Sequence, residues 1–163
     1  MTVHIAVVSD THISQPSKEL VEVFDRFFLR ADMVLHCGDI TGEDTLALFL
    51  THPRFVGVTG NMDAPSVSGS LPVRRIIHIQ GWRVGIIHGW GRGGLVPAAV
   101  RASFEGECDL VCFGHTHRRL WDASGVPMLL NPGSLMLPRQ GNRGFANLTL
   151  EKGRPPEVRF QDI

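Results

Sequence analysis

Long apolar runs are missing. No stretch of the 163 residues approaches the roughly 20 consecutive apolar positions that a membrane-crossing helix needs, so no spanning segment is expected. A basic region followed by an apolar core and a small-residue cleavage site is missing as well, because a strand-like run begins almost at once at His4; no secretory leader is expected. Cysteine is scarce and odd in number: Cys37, Cys108 and Cys112, two of them inside apolar runs, imply no disulfide framework and point to a reducing, cytoplasmic location. An excess of either charge is also lacking. Sixteen Lys and Arg balance sixteen Asp and Glu, so no long-range field draws the protein to nucleic acid, an acidic membrane or a polyanion, and a local positive site would have to come from bound metal. There is no Gly-x-Ser-x-Gly elbow and no evident activating partner for a cysteine, which leaves a serine or cysteine nucleophile without support. Repeats, low-complexity tracts and linkers are absent, and the length suits a single domain over residues 1–163.

What is present is a succession of strand-like runs. His4 to Ser9 is short and continuously apolar, as in a strand buried on both faces, and Asp10 sits just past its end. After Pro16, the apolar residues Leu20, Val23, Phe24, Phe27 and Phe28 recur at helical spacing behind Ser17, a suitable N-cap; the spacing predicts a helix over 17–30. Met33 to His36 reads as a second strand. Thr41 with Glu43 and Asp44 reads as a helix start continued by Leu46 to Leu50 and ended by Pro53, and Arg54 to Thr59 reads as a third strand. Strand-helix-strand-helix-strand predicts a parallel sheet covered by helices.

From Val73 the pattern becomes antiparallel. Val73 to Ile79 and Arg83 to Ile87 flank Gln80-Gly81-Trp82 as a hairpin. Leu95 to Phe104 predicts a helix starting near Pro97, and Asp109 to Phe113 a strand; Arg118 to Asp122 and Val126 to Leu130 form a hairpin across Gly125, with Arg143 to Leu150 a further strand. Two sheets packed face to face with helices outside accommodate this order. Ala64 to Pro72 reads as the loosest stretch, and the tail after Pro155-Pro156 as an edge extension.

Five strand ends carry ligand-type residues: Asp10-Thr11-His12, Gly38-Asp39, Gly60-Asn61-Met62-Asp63, His88-Gly89 and Gly114-His115-Thr116-His117. Asp10 and His12 can converge on one ion if the backbone between them leaves its strand. Asp39 offers two oxygens that can bridge two ions, and Asn61 a neutral oxygen. Taken singly, the first three are explained as well by ordinary turns. His115 and His117 are more telling, because two imidazoles flanking one residue where a buried strand emerges serve no evident packing purpose, and neutral imidazole is the commonest transition-metal ligand. The succession carries the argument, since the carboxyl edge of an open α/β sheet is where ligands bind.

The five motifs in this order resemble the calcineurin-like metallophosphoesterases, and within them the small YfcE-like phosphodiesterase branch; Asn131-Pro132-Gly133-Ser134 followed by Pro138-Arg139 resembles a later motif of that branch. The resemblance implies an α/β (α+β) fold, a four-layer αββα metallophosphoesterase sandwich of two mixed sheets flanked by helices. It implies two divalent metal ions, one held by Asp10, His12, Asp39 and His117 and the other by Asp39, Asn61, His88 and His115, with Asp39 bridging. Manganese is the expected metal, and Fe, Ni, Zn and Mg also suit the mixed ligands. The implied function is hydrolysis of a small phosphate ester, nucleotide-like in one reading, by attack of a hydroxide shared by the two ions, with Asp39, Asn61 and His88 at the reaction centre.

Two departures matter. Many relatives have His where this chain has Met62, a residue that cannot deliver a proton; Asp63 or a metal-bound water would have to serve the leaving group, which favours diesters over monoesters. Trp90 replaces a second His of motif four and adds an aromatic surface that could stack on a base. A second reading comes from similarity to the small retromer subunit, a binding scaffold of the same fold; the full ligand set favours catalysis, and a large exposed apolar patch away from the site would favour the scaffold. No stable nucleic-acid complex and no membrane partner are expected, and homo-oligomerisation is open.

Other residues have plainer explanations. His36 precedes Gly38-Asp39 and either orients a ligand or packs in the core. His4, His52 and His78 have no motif around them. Gly91-Arg92-Gly93-Gly94 and Arg139 follow site motifs and could reach phosphate, although a flexible turn and a surface ion pair explain them more simply. Asn131-Pro132-Gly133-Ser134 reads most economically as a tight turn.

Overall fold

Where the sequence runs apolar without alternation, strands form with both faces covered. In the computed structural model, which describes residues 1–163, β1 (Thr2–Val8), β2 (Met33–His36) and β3 (Phe55–Gly57) lie parallel. They share a sheet with two strands from the end of the chain, β9 (Gly144–Glu151) and β10 (Glu157–Asp162), in the order β10-β9-β1-β2-β3. The intervening chain builds a second five-stranded sheet from β4 (Arg74–Ile79), β5 (Trp82–Ile87), β6 (Leu110–Cys112), β7 (Arg119–Asp122) and β8 (Met128–Pro132), ordered β4-β5-β6-β8-β7. Parallel strands occupy the middle of the second sheet and antiparallel β4 and β7 its edges.

The two faces of each strand separate cleanly into layers. Val3, Ile5 and Val7 of β1, with Leu35, Val84, Ile86, Leu110, Cys112, Leu130 and Leu148, form a buried core between the sheets. The alternate residues Ala6, Val8 and Val34 face outward onto α1 (Lys18–Val23), its continuation through one π turn (Phe24–Phe28), and α2 (Glu43–Leu50). On the far side, Val111, Phe113 and Leu129 pack against Val96 and Val100 of α4 (Val96–Ala102). Four layers follow: helices, sheet, sheet, helix. Each fully buried aliphatic or Phe side chain contributes roughly 1.5–3 kcal/mol, so three apolar layers dominate the stability.

The details differ from the pattern-based expectation in three places. Ser17 caps α1 by accepting from the Leu20 amide at 3.1 Å, but the α-helix gives way at Phe24 to the wider π turn, where Phe24 and Phe28 crowd against Phe49 and Phe145. The second helix starts at Glu43 with Gly42 rather than Thr41 as cap, since Thr41 is in the left-handed region (φ 79°). Ala64 to Pro72 is not loose: Pro65 starts α3 (Pro65–Ser70), which buries only Val67, against Ile40 and Leu46, too little for a periodic signal. The tail after Pro155-Pro156 lies at an edge as expected, where β10 pairs along β9. The hairpin turn at Gln80 (φ 52°) and Gly81 (φ 86°) has the two positive φ angles of a type I′ turn. No helix is long and apolar enough to cross a membrane.

Candidate metal centre

The loops leaving β1, β2 and β3 in one sheet, and β5 and β6 in the other, meet at one end of the sandwich. Their backbones are unusual. Seven non-glycine residues have left-handed φ, and five of them are Asp10 (52°), His12 (52°), Asp39 (56°), His115 (67°) and His117 (56°). This conformation costs an L-residue roughly 1–2 kcal/mol, so its concentration at strand ends marks a site rather than a series of ordinary turns. The left-handed residues turn the chain out of the strand, which brings Asp10 and His12 onto one side and does the same for His115 and His117. The motif glycines have a steric reason: a Cβ on Gly60 would run into the carboxylate and amide of Asp39, and one on Gly114 into Ser9 and Asp10.

Five of the seven predicted ligands, Asp10, His12, Asp39, His88 and His117, come together, and Asn61 closes one side and carries His115 at its outer edge. His117 Nε2 is 3.1 Å from Asp10 Oδ1, and His12 Nε2 is 3.2 Å from His117 Nε2, 3.4 Å from Asp39 Oδ2 and 3.7 Å from Asp10 Oδ1. His88 Nε2 is 3.2 Å from Asp39 Oδ2, 4.0 Å from Asp10 Oδ1 and 3.1 Å from Asn61 Oδ1, which is also 3.1 Å from His115 Nδ1. Asp10, His12 and His117 form one compact ligand triad, and Asp10, Asp39 and His88 another.

The hydrogen bonds of the imidazoles fix which nitrogens are bare. A carbonyl oxygen only accepts, so His88 Nδ1 donates to Cys37 O (2.8 Å), His117 Nδ1 to Leu137 O (2.5 Å) and His115 Nε2 to Gly91 O (2.9 Å). In the neutral tautomers the opposite nitrogens carry lone pairs, and these face the oxygens of Asp10, Asp39 and Asn61. Electron-rich atoms this close repel unless a proton or a cation lies between them. Asp10 shows the same demand: its Oδ2 accepts from Ser9 Oγ (2.6 Å) and the His115 amide (3.0 Å), whereas the buried Oδ1 has no hydrogen-bond partner. Donors about 2.1 Å from one ion lie about 3.0–3.4 Å apart, matching the separations here. The residues present fit divalent metal, with mixed N and O ligands and second partners on the imidazoles of the kind that orient metal-binding histidines.

Protonation follows the same logic. Burial pushes the Asp10 carboxyl up, but His117, His12, the charge of His88 and Ser9 outweigh it and hold the group well below the ordinary carboxylate range. Burial likewise raises Asp39, and His88 with the Met62 amide (2.8 Å to Oδ1) brings it down. His88 and His117 are pushed down by burial and more strongly up by the carboxylates, so both end above the ordinary histidine value; the Arg139 charge opposes the rise at His117.

A surrounding layer holds the ligands. His36, fully buried against Phe49, accepts the Gly38 amide at Nδ1 (3.2 Å) and therefore presents Nε2–H to Thr11 Oγ1 (2.8 Å), tying the loop of Asp10 and His12 to that of Asp39. Burial lowers its pKa to about 3, so it is neutral. Asp63 accepts from the amides of Thr41 and Gly60, both at 2.7 Å, and from Thr59 Oγ1 at 3.3 Å, bracing motif three against motif two.

Sequence reasoning underrated Asn131 and Ser134, which are buried. Asn131 Nδ2 donates to Gly114 O (2.7 Å) and Thr116 Oγ1 (3.1 Å), and Ser134 Oγ donates to Asp10 O (2.7 Å) while accepting from the Leu137 amide. Their position at the end of β8, a sixth strand on the same edge, was the available signal. His4 and His52 bond elsewhere, to Thr149 and Ala31, and His78 is exposed on β4.

Comparison with known proteins agrees with this architecture. The calcineurin-like phosphoesterase superfamily domain matches residues 3–153. A probable metallophosphoesterase of Methanocaldococcus jannaschii is 34% identical over 154 residues, spanning 92% of this chain and 77% of the relative. A second protein of that organism, named a phosphodiesterase, is 24% identical over 142 residues, spanning 79% of this chain and 82% of the relative. Wild-type Vps29 of Entamoeba histolytica, solved in complex with zinc, matches with a TM-score of 0.68 at 25% identity, covering 92% of this chain and 86% of that one. Because the family match runs through nearly every element that builds the two sheets and all five ligand loops, the chain belongs to the calcineurin-like phosphoesterase superfamily.

Proposed function

We propose that this protein is a metal-dependent phosphodiesterase acting on a small phosphate ester. The observation that carries the reading is the convergence of imidazole lone pairs on two buried carboxylates, held in left-handed loops. Asp10, His12, Asp39 and His117 would hold one divalent ion and Asp39, Asn61, His88 and His115 a second, with Asp39 shared. When bound, such ions supply Lewis-acid chemistry: they lower the pKa of water and withdraw charge from phosphoryl oxygens. Manganese is the first metal to test, with Fe, Ni, Zn and Mg compatible with the ligand types.

The chain's own residues set geometry and proton inventory. Carbonyls of Cys37, Leu137 and Gly91 hold the Nδ1–H of His88 and His117 and the Nε2–H of His115, so the nitrogen left for metal is set in advance, and loading displaces only a proton shared between that nitrogen and the carboxylates. Next to the ligand Asn61, Met62 is exposed and has no proton to give, while both oxygens of Asp63 already accept backbone amides; we assign Asp63 to bracing rather than to protonating the leaving group. A reaction with little help for its leaving group is better suited to an activated diester than to a monoester of an alcohol. The relative named a phosphodiesterase supports the same preference.

The likeness to Vps29 keeps one other reading, a non-catalytic binding scaffold. The decisive experiment strips the protein of metal, refills it with Mn²⁺, and compares a chromogenic phosphodiester with its monoester, beside Asp39→Asn and His115→Ala. Metal-dependent diester cleavage lost in both variants is expected. Tight metal binding with no turnover of either ester would favour the scaffold.

A further inference from the structure

A cavity of about 580 Å³ opens beside the ligand cluster and shares His115 with it. Four arginines line it, Arg92, Arg118, Arg119 and Arg139, and no acidic residue does. In a chain of balanced charge this is a local exception. Elsewhere Arg74, Arg83, Arg101 and Arg143 each reach a carboxylate within 2.7 Å; Arg26, Arg30 and Arg159 are unpaired but share their depression with Glu157, so what sets this cavity apart is four arginines with no acidic residue in the lining. In the cavity only Arg119 is so paired, with Asp162 at 2.6 Å, and its buried Nε still lacks an acceptor. The guanidinium groups of Arg92, Arg118 and Arg139 make no ion pair. One wall is the glycine-flanked loop around Arg92; Val96, Pro97 and Leu120 supply an apolar surface.

Unpaired guanidinium groups around one space call for an anion with several acceptor oxygens, and phosphate is the group their fork geometry fits best. We propose that this cavity seats a second phosphoryl group of the substrate, so that the preferred substrate carries two: one ester phosphate at the metal ligands and one gripped by arginine. The apolar surface would lie along the carbon framework between them. This rests on the phosphoesterase reading above and narrows it. It also explains why a protein without an overall positive field could still select a highly anionic substrate.

The test is calorimetric titration of the manganese-loaded protein with adenosine 3′,5′-bisphosphate and adenosine 5′-monophosphate. The bisphosphate is expected to bind about tenfold more tightly or better, the size expected of new charge-assisted hydrogen bonds. Arg118→Gln combined with Arg139→Gln should erase most of that ratio, and Arg54→Gln, outside the cavity, should keep it. Equal affinity for the two nucleotides, or a ratio unmoved by the double variant, overturns the inference. A short single-stranded oligonucleotide binding more tightly than the bisphosphate would overturn the small-molecule assignment. Diester turnover is measured on the same preparation. Turnover without bisphosphate preference rejects the second-phosphoryl pocket and leaves the esterase standing; an arginine-dependent preference without turnover rejects the esterase and supports the anion pocket.

Discussion

His36 ligates nothing, yet it connects two ligand loops through Thr11 and Gly38. Replacing it with Phe keeps the ring packed against Phe49 but removes both hydrogen bonds, and metal affinity should fall about 10–100-fold, the usual effect of losing a residue that orients ligands. Competition with a chelator of known affinity measures this; unchanged affinity would reduce His36 to packing. The same residue sets a pH dependence. Its pKa falls from 6.5 to about 3 on folding, through burial. The unfolded chain therefore binds the extra proton first: the stabilising contribution is complete above about pH 6.5 and is lost as pH falls towards 3, by an amount on the order of a few kcal/mol. Unfolding curves of His36→Phe should lack this part of the acid slope, and parallel slopes for the variant and the parent would refute the assignment. At Trp90, half exposed between His88 and Gly91, truncation to Ala should raise KM for a nucleotide diester severalfold more than for a small chromogenic diester. Equal effects on the two substrates would remove the stacking role.

Elements were legible in proportion to how completely they are buried. β1, β2 and the β4–β5 hairpin announce themselves because both faces, or a sharp turn, leave a mark in the sequence. α3 leaves almost none, since one buried Val67 cannot make a period, and β10 is an edge strand with a mostly polar composition. The ligand residues were readable from their types at strand ends. Their left-handed backbones were not, because Asp and His tolerate that conformation without requiring it, and no spacing of residue types fixes φ. Arg92 and Arg139 were readable as residues able to reach phosphate, but the cavity they share with Arg118 and Arg119 was not, because its walls come from separate loops that only the fold brings together. Left-handed strain outside the site should be removable. Gln80 occupies the first turn position of a hairpin at φ 52°, where Asn is far better tolerated, and Gln80→Asn should stabilise the fold by roughly 0.5–1 kcal/mol without changing metal affinity. Denaturant unfolding with parallel metal titration checks both halves of that statement.

Across the whole molecule, the ligands are divided between the sheets. Asp10, His12, Asp39 and Asn61 follow strands of the first sheet, and His88, His115 and His117 follow strands of the second. Metal that binds the native arrangement must raise stability by mass action, by about 2.7 kcal/mol at a free concentration one hundred times Kd. Removing metal should lower Tm accordingly, and Asp39→Asn should abolish most of the difference; a Tm indifferent to metal would contradict the site. Between the sheets the contact is largely apolar, and it is pinned away from the ligand loops by Trp82 Nε1 donating to Glu151 O and by the Arg119–Asp162 ion pair. Ions held by the proposed ligands of both sheets would act as a further rivet at the ligand end of that interface. Their signature would be kinetic: with metal bound, amides flanking the ligands on both sheets should exchange with deuterium at one common, slower rate, whereas without it each sheet's edge should breathe on its own clock.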